Sequence, residues 1–548
     1  MLLALVFLGG LVGYPLAFLL LQSVFPELPA GRLDGFMDAW VRMGETPEIG
    51  RLIRNSLAWA GATTGVSWIL GIPCGWLLAR TDLPGKLWVR LSLLVPIMTP
   101  PYIAALSWIL VMQAGGFGDL LTGGIPEPLR GFFFSFWGVT LVMALSSFGY
   151  VALAVEAALS ELPRRFEDAA ELLGSSWRRT FVRIVLPLLL PAILNSGLLV
   201  FLDALSNFGV PAVLGTRSNL PLLPAEIFFL VTSWPVDIAL ATSLSSLLCL
   251  FALVSLYGSR WLGHVFGGGA VEAGPVRVQR LSGMARRASW AFVGVLFVFS
   301  SGLPWAAMVL TSLARSWGEG WPALTLAHYG EIFTPGSRGL GAIWTSLWLS
   351  VTAATFCVVV GSWIAWVNVR SSGWLRQVLE GMATLPRVIP KIVMAVALIL
   401  AWNAPWVALD IYNTAAMLLL AYVAIYITDS LNYANATLRG MGENLEHAAG
   451  ILGAGRVTVY RRIVLPRLKP ALVAAWITTF IVCMRELVAS LMLLPPGTDT
   501  TATFIFNQFE QGDLSAAMAM ATVTIGISTL VLVVFTLRRR SSPGTGSR

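Results

Sequence analysis

Charged side chains are scarce in this chain. Asp, Glu, Lys and Arg make up 12% of the 548 residues, whereas 57% of the residues are hydrophobic. Soluble globular domains carry about 25% charged residues, so this composition excludes an ordinary water-soluble fold. The sequence therefore predicts a protein that uses the lipid bilayer as its solvent.

Residues that bind metals or form disulfides are also few. The four cysteines (Cys74, Cys249, Cys357 and Cys483) fall in apolar segments without paired spacing, and the three histidines lie in separate loops. We expect no metal site and no disulfide. The sequence contains no phosphate-binding loop of the G-x-x-x-x-G-K-[ST] kind. We therefore expect no cofactor on this chain, and any ATP must be used by another polypeptide.

Long runs without a charged residue are abundant, and a membrane span needs about 20 apolar residues. Four further segments are shorter or carry a polar break. Together they predict twelve spans, both ends of the chain being on one side. The eight uncharged runs are Met1–Pro26, Leu57–Ala79, Leu91–Gly118, Gly131–Val155, Ile238–Ser259, Ala288–Ala314, Gly339–Val369 and Leu514–Leu537, and the other four are 184–215, 392–409, 411–428 and 470–495.

The basic residues indicate the orientation. Lys and Arg concentrate in alternate loops from Arg80 onward, and loops rich in these residues stay in the cytoplasm. We therefore expect both termini to be cytoplasmic. The net charge of +8 follows from the same loops, so we expect membrane lipid and no nucleic acid as a partner. The first run lacks the basic start and cleavage pattern of a signal peptide, and it is expected to be a retained span.

The chain contains an internal repeat. An offset of 290 residues aligns Gly71 with Gly361 and Arg80 with Arg370, and an offset of 279 aligns Pro187 with Pro466. We therefore predict two six-span lobes in the same orientation, residues 1–262 and 289–548. A Gly- and Arg-rich stretch between them, residues 263–288, is predicted to be a cytoplasmic linker.

The most strongly patterned segments outside the spans are the loops between the fourth and fifth spans, at about 158–187 and 434–466. Each has acids, two alanines and a glycine, followed by Ile-Val-Leu-Pro after a basic stretch. Acids favour the start of a helix and glycine favours its end. The sequence thus predicts one short helix in each loop.

This spacing resembles the EAA signature of ABC importer permeases. The resemblance implies the type I importer permease fold, an all-α protein of about twelve spans. It also implies that the two loop helices dock into two copies of an ABC ATPase subunit, and that an external binding protein delivers the substrate. The residues that it assigns to the ATPase contact are Glu167, Asp168, Ala169, Ala170, Leu173 and Gly174 in the first loop, and Glu446, His447, Ala448, Ala449, Leu452 and Gly453 in the second.

The acid of the signature is ambiguous. In strict register it is Asp168 in the first loop and His447 in the second, with Glu167 and Glu446 one residue earlier. Which of these residues meets the partner is left open by the sequence.

The whole chain resembles the fused branch of permeases that includes ferric-iron importers. The segments 207–215, 485–497 and 504–513 are the most similar to the ferric-iron group. This implies ferric iron as the substrate and the bacterial inner membrane as the location. Thiamine, aminophosphonate and polyamine permeases are the alternatives.

Polar residues near the ends of the fifth and eleventh spans are candidates for a transport path. Arg485 and Glu486 align with Ser206 and Asn207, and Asp203 lies one turn earlier. Ionisable groups in spans usually face an interior path or a partner. The alternative is that Arg485 and Glu486 form an interhelical pair or extend to the interface.

Two other classes of protein fit the sequence less well. Arg80–Lys86 weakly resembles a loop of major facilitator transporters, but its counterpart at 370–376 lacks the acid. A membrane-embedded enzyme would need converging catalytic groups, and the sequence offers no such constellation.

Overall fold

The fold is helical throughout the part of the chain that the structure describes. The structure is a computed structural model that describes residues 1–266, 278–315, 323–408, 410–442 and 444–541. In these residues there are helices and isolated bridges but no strand. The all-α class is confirmed. The centre of the predicted linker, residues 267–277, lies outside the described residues.

Within the described residues, ten helices are long and apolar enough to cross a membrane. Shorter helices connect them. The ten are Leu2–Val24, Pro47–Arg80, Phe136–Glu161, Trp177–Ser206, Ile238–Ser259, Gly283–Leu313, Arg338–Val369, Ala415–Gly440, Arg456–Met484 and Leu514–Phe535. The shorter ones are Asp38–Glu45, Phe117–Thr122, Glu127–Phe133, Arg165–Leu172, Leu223–Thr232, Ala327–Phe333, Asn444–Ile451, Val488–Leu493 and Thr501–Glu510.

The third span of each half differs from the prediction. The run Leu91–Gly118 is not one continuous helix, because Lys86–Met98 and Pro101–Met112 are bent by 94°. The second half repeats this with Trp374–Val388 and Lys391–Trp402, bent by 114°. Proline lacks a backbone N–H and disfavours helix in the residue before it, so Pro100 and Pro390 end the first helix of each pair. Twelve spans result only if each bent pair counts as one.

Prolines also shape the entry to the fifth span of each half. One turn of π-helix, Phe181–Val185, precedes Pro187, and its counterpart Tyr460–Val464 precedes Pro466. The proline nitrogen cannot donate to the preceding turn, and a π turn accommodates the resulting mismatch by adding one residue. The basic stretch and the span therefore form one continuous helical segment, with a π turn where they join.

The chain divides into two compact units that do not follow the sequence order. One comprises Met1–Arg42, Val231–Ser246 and Thr325–Arg548; the other comprises Met43–Leu230 and Leu247–Leu324. The predicted lobes, residues 1–262 and 289–548, therefore describe the repeat in the sequence but not the packing.

The units differ from the sequence halves mainly because the first span of each half packs in the unit formed largely by the other half. In one unit, Tyr14–Val24 packs on the bent-pair helix Lys391–Trp402, and Tyr14 Oη donates to the Ala401 carbonyl at 3.0 Å. In the other unit, Leu303–Leu313 packs on Pro101–Met112, and Trp305 Nε1 donates to Thr99 Oγ1 at 3.0 Å. Each bent pair is thus covered by a span from the other half of the sequence.

The core of each unit is a close pair of long helices. In the first half, Pro47–Arg80 packs along Phe136–Glu161. A Cβ at Gly71 would lie 2.6 Å from the Phe148 carbonyl oxygen, so only glycine permits this approach. The aligned Gly361 lies on the equivalent helix of the second half, facing Ser430. The repeat in the sequence is therefore also a repeat in packing.

Candidate coupling helices and charged residues at the span ends

The two patterned loops form short helices, Arg165–Leu172 and Asn444–Ile451. We call them the first and second loop helix. Gly174 and Gly453 follow them with φ of +75° and +81°. Ser175 N donates to the Ala170 carbonyl at 2.9 Å, and Ala454 N donates to the Ala449 carbonyl at 2.9 Å. Both helices therefore end at the glycine that the sequence predicts, and this glycine adopts the left-handed conformation.

Glu167 of the first loop helix is buried in an ion pair. Arg80, at the end of the helix Pro47–Arg80, places Nη1 2.9 Å from Glu167 Oε1, and the two side chains are 2% and 3% exposed. Arg80 Nη2 also donates to the Leu162 carbonyl at 3.2 Å. A buried charge is tolerated when it is paired. This contact anchors the loop helix to the second span of its own half.

Glu446 of the second loop helix has the same partner at the repeated position. Arg370 donates to Glu446 Oε1 through Nη2 at 2.7 Å and through Nε at 3.1 Å. Trp366 Nε1 donates to Glu446 Oε2 at 3.1 Å. These side chains are slightly more accessible, at 17% for Arg370 and 12% for Glu446. Both halves therefore anchor the loop helix through the acid that precedes the signature register.

The residues in strict register face outward. Asp168 is partly exposed and accepts from Arg164 Nε at 3.0 Å, an i,i+4 contact on the helix surface. His447 is exposed. The adjacent alanines differ in burial: Ala169 and Ala448 are exposed, Ala170 is buried and Ala449 is half-buried. Of the two candidate acids of the signature in the first loop, Asp168 is thus accessible to a partner and Glu167 is not.

The end of each loop helix presents two large apolar side chains to solvent. Leu172 and Leu173 are 89% and 88% exposed, and Ile451 and Leu452 are 86% and 87% exposed. Apolar pairs this exposed, at equivalent places in the repeat, are typical of a contact surface. Each loop thus combines a buried anchor with an exposed apolar end.

Glu486 lies two residues after the helix Leu465–Met484, in the break before Val488–Leu493. Its carboxylate is buried and accepts from Lys391 Nζ at 2.8 Å and from Tyr426 Oη. The backbone N–H groups of Val488 and Ala489 donate to Oε1 at 3.1 and 3.3 Å. Glu486 is therefore paired with Lys391 of the bent pair, a partner that the sequence did not indicate.

The other path candidates occupy equivalent helix ends. Arg485 is half-buried and follows the end of its helix, as Asn207 follows Ser206. Asn207 Oδ1 accepts from Val210 N at 3.0 Å. Asp203 Oδ2 accepts from Ser147 Oγ at 3.1 Å. Arg485 and Glu486 are therefore not inside a continuous eleventh span, and a shared path for these residues stays a prediction.

Sequence reasoning missed the two arginines that bind the loop acids. The repeat contained the signal, because Arg80 aligns with Arg370 and Glu167 aligns with Glu446. A pair of opposite charges kept at both copies indicates a contact between them. The contact is not apparent from the sequence because Arg80 and Glu167 are 87 residues apart.

Comparison with known proteins shows which family the chain is similar to. The chain is 27% identical to the ferric transport system permease protein FbpB of Actinobacillus pleuropneumoniae, covering 88% of this chain and 70% of that protein. It is 24% identical to the Fe(3+)-transport system permease protein FbpB 2 of Haemophilus influenzae, covering 94% of each. A family model described as the binding-protein-dependent transport system inner membrane component matches residues 71–265 and 357–546. The two matches cover most of both halves, and the chain therefore belongs to this family of membrane permease components.

Proposed function

We propose that this chain is the transmembrane permease subunit of an ATP-driven importer for ferric iron, located in the inner membrane with both termini in the cytoplasm. An external binding protein delivers the ion, and two ATPase subunits bind the two loop helices. The carrying observation is the repeated loop: a buried Arg–Glu anchor and, at the end of the helix, an apolar pair that is nearly fully exposed.

The geometry of the loops supports this role. An exposed apolar pair gains free energy when a partner covers it, about 1.5–3 kcal/mol for each large side chain. The anchor joins the loop helix to the second span, so a displacement of the loop helix is transmitted to a membrane helix. ATP binding on a separate subunit can then change the conformation of the spans.

Ferric iron is the favoured substrate because the relatives named for ferric transport match nearly the whole chain. Thiamine, aminophosphonate and polyamines are the alternatives, since the binding protein sets much of the specificity. A facilitator-type secondary transporter would work without an ATPase, and its loops would need no exposed apolar ends.

The experiment is reconstitution in liposomes with candidate ATPase and binding-protein subunits, testing each substrate in turn. We expect ATP-dependent uptake of ferric iron. Replacing both Leu172 and Leu173 by Asp is expected to weaken ATPase association by about a hundredfold, the equivalent of ~2.8 kcal/mol. Leu129→Asp is the matched control, at an exposed leucine on the short helix Glu127–Phe133, which is neither a span nor a loop helix. Uptake without any ATPase would refute the proposal, and ATP-dependent uptake of another substrate would refute its ferric part.

A further inference from the structure

A cavity of about 250 Å³ lies among three helices of the second half, Arg338–Val369, Trp374–Val388 and Ala415–Gly440. Asn368, Asn435 and Glu380 line it, together with Thr384, Asn432, Arg439 and four apolar side chains. Asn368 is two residues from Arg370, the anchor of the second loop helix. The cavity is therefore at the same end of its helices as that loop.

Two amide oxygens in this wall lack a donor. Asn368 is 3% exposed, and in the described part of the chain neither Asn368 Oδ1 nor Asn435 Oδ1 has a hydrogen-bond partner. Buried polar atoms are nearly always satisfied, and an exception calls for a missing partner. Both acceptors line one space, so a single guest that donates hydrogen bonds or carries positive charge could reach both.

The first half has different side chains at the aligned positions. Asn368, Thr384 and Asn432 align with Leu78, Leu94 and Leu153, whereas Asn435 and Glu380 align with Glu156 and Arg90. Arg90 Nε donates to Glu156 Oε1 at 2.8 Å. Leu78 is buried in a cluster of apolar side chains. The first copy of the repeat thus supplies its own cation, the Arg90 guanidinium, to the acid that stands in place of Asn435, whereas in the second copy Asn435 Oδ1 is without a donor among the described residues.

A third oxygen ligand is available at the rim of the cavity. Glu380 Oε1 accepts from Arg439 Nη2 at 3.2 Å, and both side chains are exposed. Exposed ion pairs of this kind are weak, so the Glu380 carboxylate can exchange Arg439 for another cation. The site would then offer two neutral amide oxygens and one carboxylate.

This set of oxygens fits a hard metal cation that keeps part of its water shell. The volume is below the range of about 300–1,000 Å³ typical of pockets for organic ligands. A single carboxylate makes the site weak, as is required of a station that an ion must also leave. We propose that this cavity binds a partly hydrated hard cation, either one that the permease transports or one from the cytoplasm. Only the identity of the ion rests on the proposed function: the imported ferric ion, with cytoplasmic Mg²⁺ as the other source.

Binding can be measured with Tb³⁺, a luminescent hard cation, on the purified full-length chain. Asn368→Leu and Asn435→Leu are each expected to weaken binding by at least about tenfold, and Asn435→Asp is expected to strengthen it. Asn195→Leu, at an exposed asparagine on another helix, is the matched control and should leave binding unchanged. Equal Tb³⁺ affinity in all four variants would overturn the inference. If the leucine variants fail to fold, unchanged affinity in Asn435→Asp would overturn it instead.

Competition assigns the ion. Displacement of Tb³⁺ by Ga³⁺, a redox-inert substitute for Fe³⁺, at lower concentration than by Mg²⁺ supports the transported ion, whereas the reverse order supports cytoplasmic Mg²⁺. Uptake of radioactive iron in the reconstituted system separates this inference from the proposed function. Tb³⁺ binding that the variants abolish, in a chain that imports no iron, would refute ferric transport and leave the site intact. Normal iron uptake together with unchanged Tb³⁺ binding in the variants would refute the site alone.

Discussion

The ion pair between Arg80 and Glu167 predicts the largest effect of a single charge removal in the first loop. Glu167→Gln leaves the Arg80 guanidinium, which is 2% exposed, without its counter-charge. Removing one partner of a buried pair costs about 3–5 kcal/mol. Because Glu167 joins the first loop helix to the second span, we expect the loss to appear as release of that helix. At ~1.4 kcal/mol per factor of ten, the ratio of docked to released helix should fall by at least about a hundredfold.

Limited trypsin digestion measures this release, since Arg164 and Arg165 begin the first loop helix and are exposed there. Cleavage at these residues should accelerate in Glu167→Gln, and ATP-driven transport should fall although the protein still reaches the membrane. Glu161→Gln, an exposed acid just before the loop helix, is the control and should behave like the unmodified chain. Unchanged cleavage and transport in Glu167→Gln would refute the anchoring argument.

The second loop provides an internal comparison. Glu446→Gln should have the same direction of effect but a smaller size, because Arg370 and Glu446 are partly accessible to water. The amide can also still accept from Trp366. A larger loss in Glu446→Gln than in Glu167→Gln would contradict the dependence on burial.

Two further predictions concern the charges away from the loops. Lys391→Met should destabilise the unit that contains Lys391 and Glu486 by about 1.5–3 kcal/mol, the value of a hydrogen bond to a charged group, because Glu486 stays buried without its partner. Thermal unfolding in detergent measures this loss, and Lys469→Met, at an exposed lysine, is the control. Asp119, in the connection after the first bent pair, accepts from the backbone N–H of Ile125 at 2.6 Å, which together with the N–H of Gly115 and the guanidinium of Arg130 lowers its pKa. A lowered pKa means that its stabilisation is complete above the unfolded value of about 3.9 and is lost as the pH falls through the folded value. Asp119→Asn should therefore lower the melting temperature at pH 7 and remove this part of the acid sensitivity, and an unchanged acid profile would contradict the assignment.

The sequence predicted much of the candidate site. The repeat located both loops, and the glycines at 174 and 453 were placed at helix ends where the structure has positive φ. These features depend on local chemistry, since a helix that ends in a left-handed turn needs glycine whatever surrounds it. The sequence could not show which of the two acids is buried. Glu167 and Asp168 are adjacent and chemically alike, and only the position of Arg80 distinguishes them.

What the sequence alone determined is the membrane class, the helical fold, the twofold repeat and the position of the two loops, because hydrophobic run length and spacing are properties of consecutive residues. The tertiary structure decided the rest. It bent the third apolar run of each half and packed each first span on the bent pair of the other half. It also joined Lys391 to Glu486, 95 residues further along the chain. Such contacts depend on which distant segments meet, and neither composition nor local pattern specifies that meeting.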